Sequence, residues 1–227
     1  MKTARSFVIG AGAAGLVMAA AGAAHAGATD VYVSIESGAL NIGQIDKDDN
    51  IITPGVRVFG GELGEVVPGA GDEPGFFADS FTPGGTLGFN IIDRLELWNP
   101  SLGTFTAATQ TMNLSKGGLD VDTPAADGGF QAGFDFATAD GTGFFDDHPE
   151  FLVTPADAGI YLLNLELTSP GLETSEPIWI VFDNENPGGE VEHDRAIDYV
   201  NRVIVPAPGA AGVLALAGVA AVRRRRA

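Results

Sequence analysis

Residues 157–168 read Asp157-Ala158-Gly159-Ile160-Tyr161-Leu162-Leu163-Asn164-Leu165-Glu166-Leu167-Thr168 and carry the clearest strand signal in the chain. From Ile160 the run is almost entirely apolar, and its few polar residues stand at alternate positions, which predicts a β-strand from Gly159 to Thr168. Residues 177–182 form a second, nearly continuous apolar run that suits a buried sheet position. These two segments indicate a sheet protein.

Further strand signals lie outward from this pair. Residues 30–36, 56–59 and 94–98 alternate apolar and polar side chains. Turn residues at 99–103 join the last of these to a Thr-rich strand at 104–114, which predicts a hairpin. A short helix is predicted to begin at Asn186-Pro187 and to end near Arg202. Its apolar face would consist of Val191, Ala196, Ile197, Val200 and Ile204.

The string Asp157-x-Gly159-x-Tyr161 resembles the tyrosine corner of immunoglobulin-like domains. The resemblance implies a structural role for these three residues, with the Tyr161 hydroxyl bonded to nearby backbone. Leu163 stands where immunoglobulin domains often carry their second cysteine, and the chain has no cysteine. We therefore expect an all-β domain, an antiparallel immunoglobulin-like β-sandwich without disulfides, with one short C-terminal helix.

The N-terminus has the pattern of a secretory signal peptide. Lys2 and Arg5 precede an uncharged stretch at 7–24, and Ala24-His25-Ala26 gives the small-x-small pattern that signal peptidase accepts. This predicts a signal peptide over residues 1–26, with Ala24 and Ala26 at the cleavage site. The alternative is an uncleaved first transmembrane helix.

The C-terminus has the pattern of a membrane-sorting segment. An uncharged run at 209–222 is followed by four arginines and preceded by a Pro-containing motif. As a helix, 14 residues span about 21 Å, short of a bilayer core of about 30 Å, and the arginines can snorkel to make up part of the difference. Cationic side chains favour the cytoplasmic side, so the tail is predicted to halt in the membrane with its C-terminus inside. The arginines are Arg223, Arg224, Arg225 and Arg226.

The tail over 205–227 resembles the PEP-CTERM sorting signal. Val205, Pro206 and Pro208 match that signal, whereas Ala207 stands where its commonest form has Glu. The resemblance implies export, capture in the membrane, processing by an exosortase-type membrane protease, and delivery to the cell surface or extracellular matrix. The alternative is a permanent membrane anchor that is not processed.

Charge and composition limit the partners of the central domain, which we place at residues 27–204. All 30 acidic residues but only six of the 12 basic ones lie between Gly27 and Val205, so this part carries −24 against −18 for the whole chain. Phosphates would be repelled, which argues against nucleic acid as a partner. Cations and a salt-rich exterior suit such a surface. The absence of cysteine excludes thiol catalysis and Cys-ligated metals.

Asp46, Asp48 and Asn50 share the D-x-D-x-N spacing of calcium loops, which makes calcium the cofactor that the sequence suggests. Ile51 and Arg57 stand where an EF-hand requires Gly and Glu. The alternative interpretation is a solvated acidic hairpin tip. Further acidic clusters occur at 120–122 and 146–150.

His148 and His193 are the two histidines of the central domain, and each is flanked by acidic residues. Together with a carboxylate they could hold Zn²⁺, although their spacing is not that of a metal site. The alternative, which we favour from the sequence, is two exposed histidines that bind nothing.

The sequence contains no G-x-S-x-G, H-E-x-x-H or P-loop motif. Our leading expectation is a non-catalytic exported protein of the cell surface or extracellular matrix. One alternative is a calcium-assisted module that binds extracellular polysaccharide, for which exposed aromatic side chains are needed. The other is a secreted hydrolase, which needs two close carboxylates or His148 near His193 in a cleft. The candidate aromatics are Tyr32, Trp98 and Trp179.

Overall fold

The structure is a computed structural model that describes residues 29–64 and 67–205. The predicted signal peptide at 1–26 and nearly all of the predicted sorting tail, residues 206–227, lie outside these residues. β-strands predominate in the described part, and one short α-helix accompanies them, which confirms the predicted β-rich fold. No helix there has both the length and the apolar character needed to cross a bilayer.

The described residues form 16 strands, one α-helix and a closing π-helical turn. In chain order these are β1 (Thr29–Glu36), β2 (Ala39–Asp46), β3 (Ile51–Pro54), β4 (Val58–Leu63), β5 (Ala70–Gly71), β6 (Phe76–Ala78), β7 (Thr86–Ile91), β8 (Glu96–Asn99), β9 (Thr104–Ala107), β10 (Thr111–Lys116), β11 (Leu119–Asp122), β12 (Gln131–Thr138), β13 (Phe145–Asp147), β14 (Glu150–Thr154), β15 (Gly159–Thr168), β16 (Ile178–Asn184), α1 (Gly189–Tyr199) and the π-helical turn Val200–Ile204.

The strands form three sheets. A five-stranded sheet has the order β13-β6-β1-β2-β3, and a four-stranded sheet has the order β11-β10-β14-β5. The third sheet follows the path β12-β7-β15-β16-β4, with β8 paired to β15 and β9 paired to β8. The four-stranded sheet is entirely antiparallel. The other two sheets are mixed, because β6 runs parallel to β1 in the five-stranded sheet and β4 runs parallel to β16 in the third sheet. Parallel neighbours need long connections, which the strands between them in sequence provide here.

The predicted strand at Gly159–Thr168 is β15, and it lies at the centre of the third sheet. It is paired with β16 on one side and with both β7 and β8 on the other. Val33, Met112 and Leu163 come from three different sheets and lie in one buried cluster, each at most 1% exposed. A single main core therefore joins the three sheets.

The predicted strand at 104–114 is divided into β9 and β10. β9 forms the expected hairpin with β8, but β10 pairs with β11 and β14 in another sheet. Phe105 packs in a second, smaller core, whereas Met112 packs in the main core. The chain changes sheets between these residues because its apolar side chains are buried in two different places.

The C-terminal helix covers the second core. Ala196, Ile197 and Val200 are buried there, together with Trp98 and Trp179. The predicted apolar face is wrong at one position, since Val191 is 73% exposed.

A histidine lies on the buried face of α1. His193 is 1% exposed, and its Nε2 is 2.8 Å from the carbonyl oxygen of Val181. The expectation of two exposed histidines is therefore wrong for His193. A ring nitrogen that reaches a strand carbonyl allows this polar side chain to be buried.

Candidate functional site

Five ionisable side chains from distant parts of the chain meet at one end of the five-stranded sheet. Because β1 lies between β2 and β6, and β13 lies beside β6, the ends of these strands bring together residues that are far apart in sequence. We call this group the Asp30 cluster, and its members are Asp30, Lys47, Glu73, Asp146 and His148.

Asp30 is the buried centre of the cluster, with 2% of its surface exposed. Its Oδ1 accepts a 3.0 Å hydrogen bond from the Gly75 N–H. Its Oδ2 lies 2.5 Å from Lys47 Nζ in an ion pair, and apart from this ammonium it has no hydrogen-bond donor among the described residues. A buried carboxylate stays ionised only beside a compensating charge, and Lys47 supplies it.

Glu73 lies directly beside Asp30. The same Gly75 N–H is 3.0 Å from Glu73 Oε2, so one donor serves two carboxylates. Partial burial, together with the negative charge of Asp30, raises the pKa of Glu73, while His148 acts in the opposite direction. Two carboxylates this close favour either a shared proton or a bound cation.

The His148 ring is held in one orientation by its neighbours. Nδ1 lies 3.1 Å from the Asp72 carbonyl oxygen, and Nε2 lies 3.4 Å from Lys47 Nζ. Nε2 also lies 3.3 Å from Asp146 Oδ1, and Nδ1 also lies 3.5 Å from Glu73 Oε1, so each ring nitrogen faces a carboxylate as well. The ring also rests on Gly75, where a Cβ would lie 2.6 Å from Nε2 and 2.7 Å from Nδ1. A Cβ at this position would therefore push the ring aside.

Lys47 places its ammonium among the acceptors of the cluster. Besides Asp30, its Nζ contacts Asp146 Oδ1 at 2.9 Å. Burial disfavours the charged form of Lys47, but the contacts with Asp30 and Asp146 outweigh this effect and raise its pKa. The ammonium therefore acts as the cation of the cluster.

Two cavities adjoin the Asp30 cluster. Glu73 lines a cleft of about 510 Å³, and His148 lines a neighbouring cavity of about 480 Å³. Asp72, Ser115 and Glu150 line both, so the cluster lies where the two meet. The carboxylates around the larger cleft give it an acidic lining that suits a cation or a ligand rich in hydroxyl groups. They belong to Glu62, Asp72, Glu73 and Glu150.

The predicted calcium ligands lie in the turn between β2 and β3. Asp46 Oδ1 accepts hydrogen bonds from the backbone N–H groups of Asp48 at 3.0 Å and Asp49 at 3.1 Å. This carboxylate closes the turn, which gives Asp46 a structural use. Asp48 and Asn50 are exposed. Calcium binding by Asp46, Asp48 and Asn50 stays a prediction.

His148 and His193 do not meet. His193 contacts the Val181 carbonyl beneath α1, whereas His148 belongs to the Asp30 cluster. A zinc site shared by the two histidines is therefore wrong. The sequence analysis missed Asp30 and Glu73, because one occupies an ordinary polar position of an alternating strand and the other lies in a long Gly- and Pro-rich loop.

The Asp157-x-Gly159-x-Tyr161 segment forms a hydrogen-bonded corner at the start of β15. The Tyr161 hydroxyl donates to the Asp157 carbonyl oxygen at 2.7 Å. Tyr161 is completely buried, and burial, followed by the charge of Asp157, raises its pKa to about 12. A Cβ at Gly159 would lie 2.8 Å from Leu97 Cδ1, so this position is closely packed.

Two of the three candidate aromatics are buried. Trp98 and Trp179 are each 6% exposed and belong to the second core. Tyr32 is partly exposed, and its hydroxyl donates to Asp79 Oδ1 at 2.9 Å. The two tryptophans therefore form no exposed surface for stacking on sugar rings.

Comparison with known proteins gives no relative: no protein-family model matches the chain, and neither does any curated protein.

Proposed function

We propose that this chain is a non-catalytic exported protein of the cell surface or extracellular matrix. In this proposal an acidic immunoglobulin-like β-sandwich is displayed outside the cell, and a PEP-CTERM-like tail, read by an exosortase-type membrane protease, directs it there. The shared core of the three sheets and the Tyr161–Asp157 hydrogen bond support the sandwich.

One structural observation carries the display proposal. The chain belongs to the folded domain as far as Val205, the first residue of the predicted sorting motif. The last turn is secured by a 3.0 Å hydrogen bond from the Val205 N–H to the Val200 carbonyl, and Val200 is fully buried in the second core. A folded domain directly before the motif suits a protein that is displayed at a membrane and processed there, and this contact therefore supports the proposal.

The geometry also favours display over the two alternatives. Burial of Trp98 and Trp179 removes two of the three aromatic side chains that were candidates for a polysaccharide-binding surface. A hydrolase has one observation in its favour, the pair of carboxylates formed by Asp30 and Glu73 beside a cleft. Asp30 is 2% exposed and paired with Lys47, so it is poorly placed to reach a substrate.

The proposal is tested by locating the protein in the bacterium that encodes it. We expect the full chain to be digested by protease added to intact cells, and a chain lacking residues 206–227 to be released into the medium. Mass spectrometry of the surface form should find a C-terminus within or close to residues 205–208.

A matched control replaces Arg195 and Arg202, which lie in the folded domain, and should leave the location unchanged. Protection of the full chain in intact cells would contradict export. An unchanged location without residues 206–227 would contradict the role of the tail.

A further inference from the structure

The Asp30 cluster contains the donor set of a metal site. Asp30, Glu73 and His148 each offer one ligand atom, and these three atoms lie within 4.8 Å of one another. They come from three separate segments, namely β1, the loop after β5 and the connection from β13 to β14. A metal ion here would fasten these segments together.

A second observation points to a cation rather than to a surface patch of acids. Asp30 is 98% buried, and its Oδ2 is directed into the cluster, where the Lys47 ammonium is its one donor among the described residues. Its one close contact is the charge of Lys47. A buried oxygen whose one partner is a cation suits a metal ligand, because a metal ion can take the place of that cation.

The His148 ring has the orientation of a metal-binding histidine. Such histidines usually donate their other ring N–H to a carbonyl or a carboxylate, which fixes the ring and the tautomer. Here Nδ1 faces the Asp72 carbonyl at 3.1 Å, and Gly75 supports the ring face. Nε2 lies on the other edge of the ring, 3.9 Å from Asp30 Oδ2 and 3.3 Å from Asp146 Oδ1.

The donor types favour zinc over calcium. Calcium takes oxygen ligands, whereas Zn²⁺ accepts imidazole nitrogen together with carboxylate oxygen. Two carboxylates and one imidazole provide three of the four ligands of a tetrahedral zinc ion, and the adjoining cavities leave room for water as the fourth.

Lys47 occupies the position of a competing cation. Its ammonium contacts Asp30 and lies 3.4 Å from His148 Nε2, two of the atoms that a metal would need. Asp146, which pairs with Lys47 at 2.9 Å, is outside the three-residue donor set. When a metal binds, Lys47 can therefore leave Asp30 and keep Asp146 as its partner.

From these observations we infer that Asp30, Glu73 and His148 bind a zinc ion, which displaces the Lys47 ammonium from Asp30. The site differs from the predicted calcium turn at Asp46, Asp48 and Asn50, and it does not depend on the route by which the protein is sorted. Zinc would tie the start of β1 to the cleft wall and would stabilise the domain by mass action.

The test is a titration of the full-length chain, stripped with a chelator, with Zn²⁺ by calorimetry, and with Co²⁺ to read the coordination from its visible spectrum. We expect one ion per chain and a Co²⁺ spectrum of tetrahedral type. Glu73→Gln and His148→Ala should each weaken zinc binding by at least about tenfold. A loss of that size is already seen when a residue that only hydrogen-bonds to a metal ligand is replaced. Both variants keep Asp30, whose removal could prevent folding.

Two further variants complete the design. Glu190→Gln removes an exposed carboxylate of α1, outside the cluster and outside the residues that line the two cavities, and should leave zinc affinity unchanged. Lys47→Met removes the competing charge and should tighten binding by about tenfold, the effect expected of a neighbouring charge in a partly buried site. If neither Glu73→Gln nor His148→Ala weakens zinc binding, the proposed site is wrong. It is also wrong if the unmodified chain does not bind zinc. Weaker binding to Lys47→Met overturns the competition.

Discussion

The Tyr161 hydroxyl and the Asn184 side-chain amide both donate hydrogen bonds to the carbonyl oxygen of Asp157, each at 2.7 Å. One carbonyl thereby ties the start of β15 to the end of β16, the two central strands of the third sheet. Both donors are buried whereas Asp157 is exposed, so the contact lies at the edge of the core.

Tyr161→Phe should therefore lower the free energy of unfolding by about 1 kcal/mol, the usual net value of an intramolecular hydrogen bond. The loss is limited because Asn184 still satisfies the carbonyl. Urea denaturation measures it. Tyr32→Phe is the matched control, because it removes the partly exposed Tyr32–Asp79 bond and should cost less. Equal losses in the two variants would contradict a special role for the corner.

Alkaline pH provides a second test of Tyr161. Its pKa is raised to about 12 in the folded protein, against about 10 in an unfolded chain. Because the folded state favours the neutral phenol, its contribution is fully present below about pH 10 and is lost as the pH rises towards 12. The unmodified protein should lose more stability over this range than Tyr161→Phe does. Parallel pH profiles of unfolding for the two proteins would contradict the prediction.

Helix α1 is fastened to the second core by a buried indole. Trp98 Nε1–H donates to Glu192 Oε1 at 2.6 Å, and Arg195 pairs with Glu192 Oε2 at 2.7 Å. Glu192→Ala leaves the indole N–H unpaired, so we expect a loss of about 1–3 kcal/mol, measured by urea unfolding followed by tryptophan fluorescence.

Glu190→Ala is the control for this helix, since Glu190 is an exposed acid of the same first turn. Both changes remove a favourable charge near the helix N-terminus, so their difference isolates the contacts of Glu192 with buried Trp98 and exposed Arg195, of which an exposed ion pair contributes little. Similar losses would show that Trp98 does not depend on Glu192.

Gly75 is the packing surface for the His148 ring. Gly75→Ala should displace this ring and destabilise the fold by about 1–3 kcal/mol, the usual cost of overpacking. Thermal unfolding gives the loss, and the NMR signals of the His148 ring report the displacement. Gly141→Ala is the control, because a Cβ there has no heavy atom within 4 Å. Unchanged His148 signals in Gly75→Ala would contradict the packing.

The elements that could be predicted are those whose pattern lies within one short stretch of sequence. The apolar run of β15 predicts its own boundaries because burial on both faces requires almost every side chain to be apolar. The β8–β9 hairpin follows from its turn residues in the same way. Sheet membership is different: β9 and β10 look like one strand, and only their packing against separate cores divides them.

The Asp30 cluster was not predictable for a related reason. Asp30, Glu73 and His148 are adjacent only because β6 joins β1 in parallel and β13 joins β6. No local pattern encodes these pairings. The sequence marks His148 as a histidine among acids, but it gives no sign of which distant carboxylates will face it.

The parallel pairing of β4 with β16 has a consequence for the order in which the protein can fold. Val58 finds its partner Trp179 only after nearly the whole domain has left the ribosome. Contacts between such distant residues form slowly, because the loop entropy must be overcome before any bond is gained. β4 is an edge strand paired only with β16, so until then it has no partner in the sheet. A chain exported as proposed would therefore stay open enough to be threaded through a translocon and would complete its sheet on the far side.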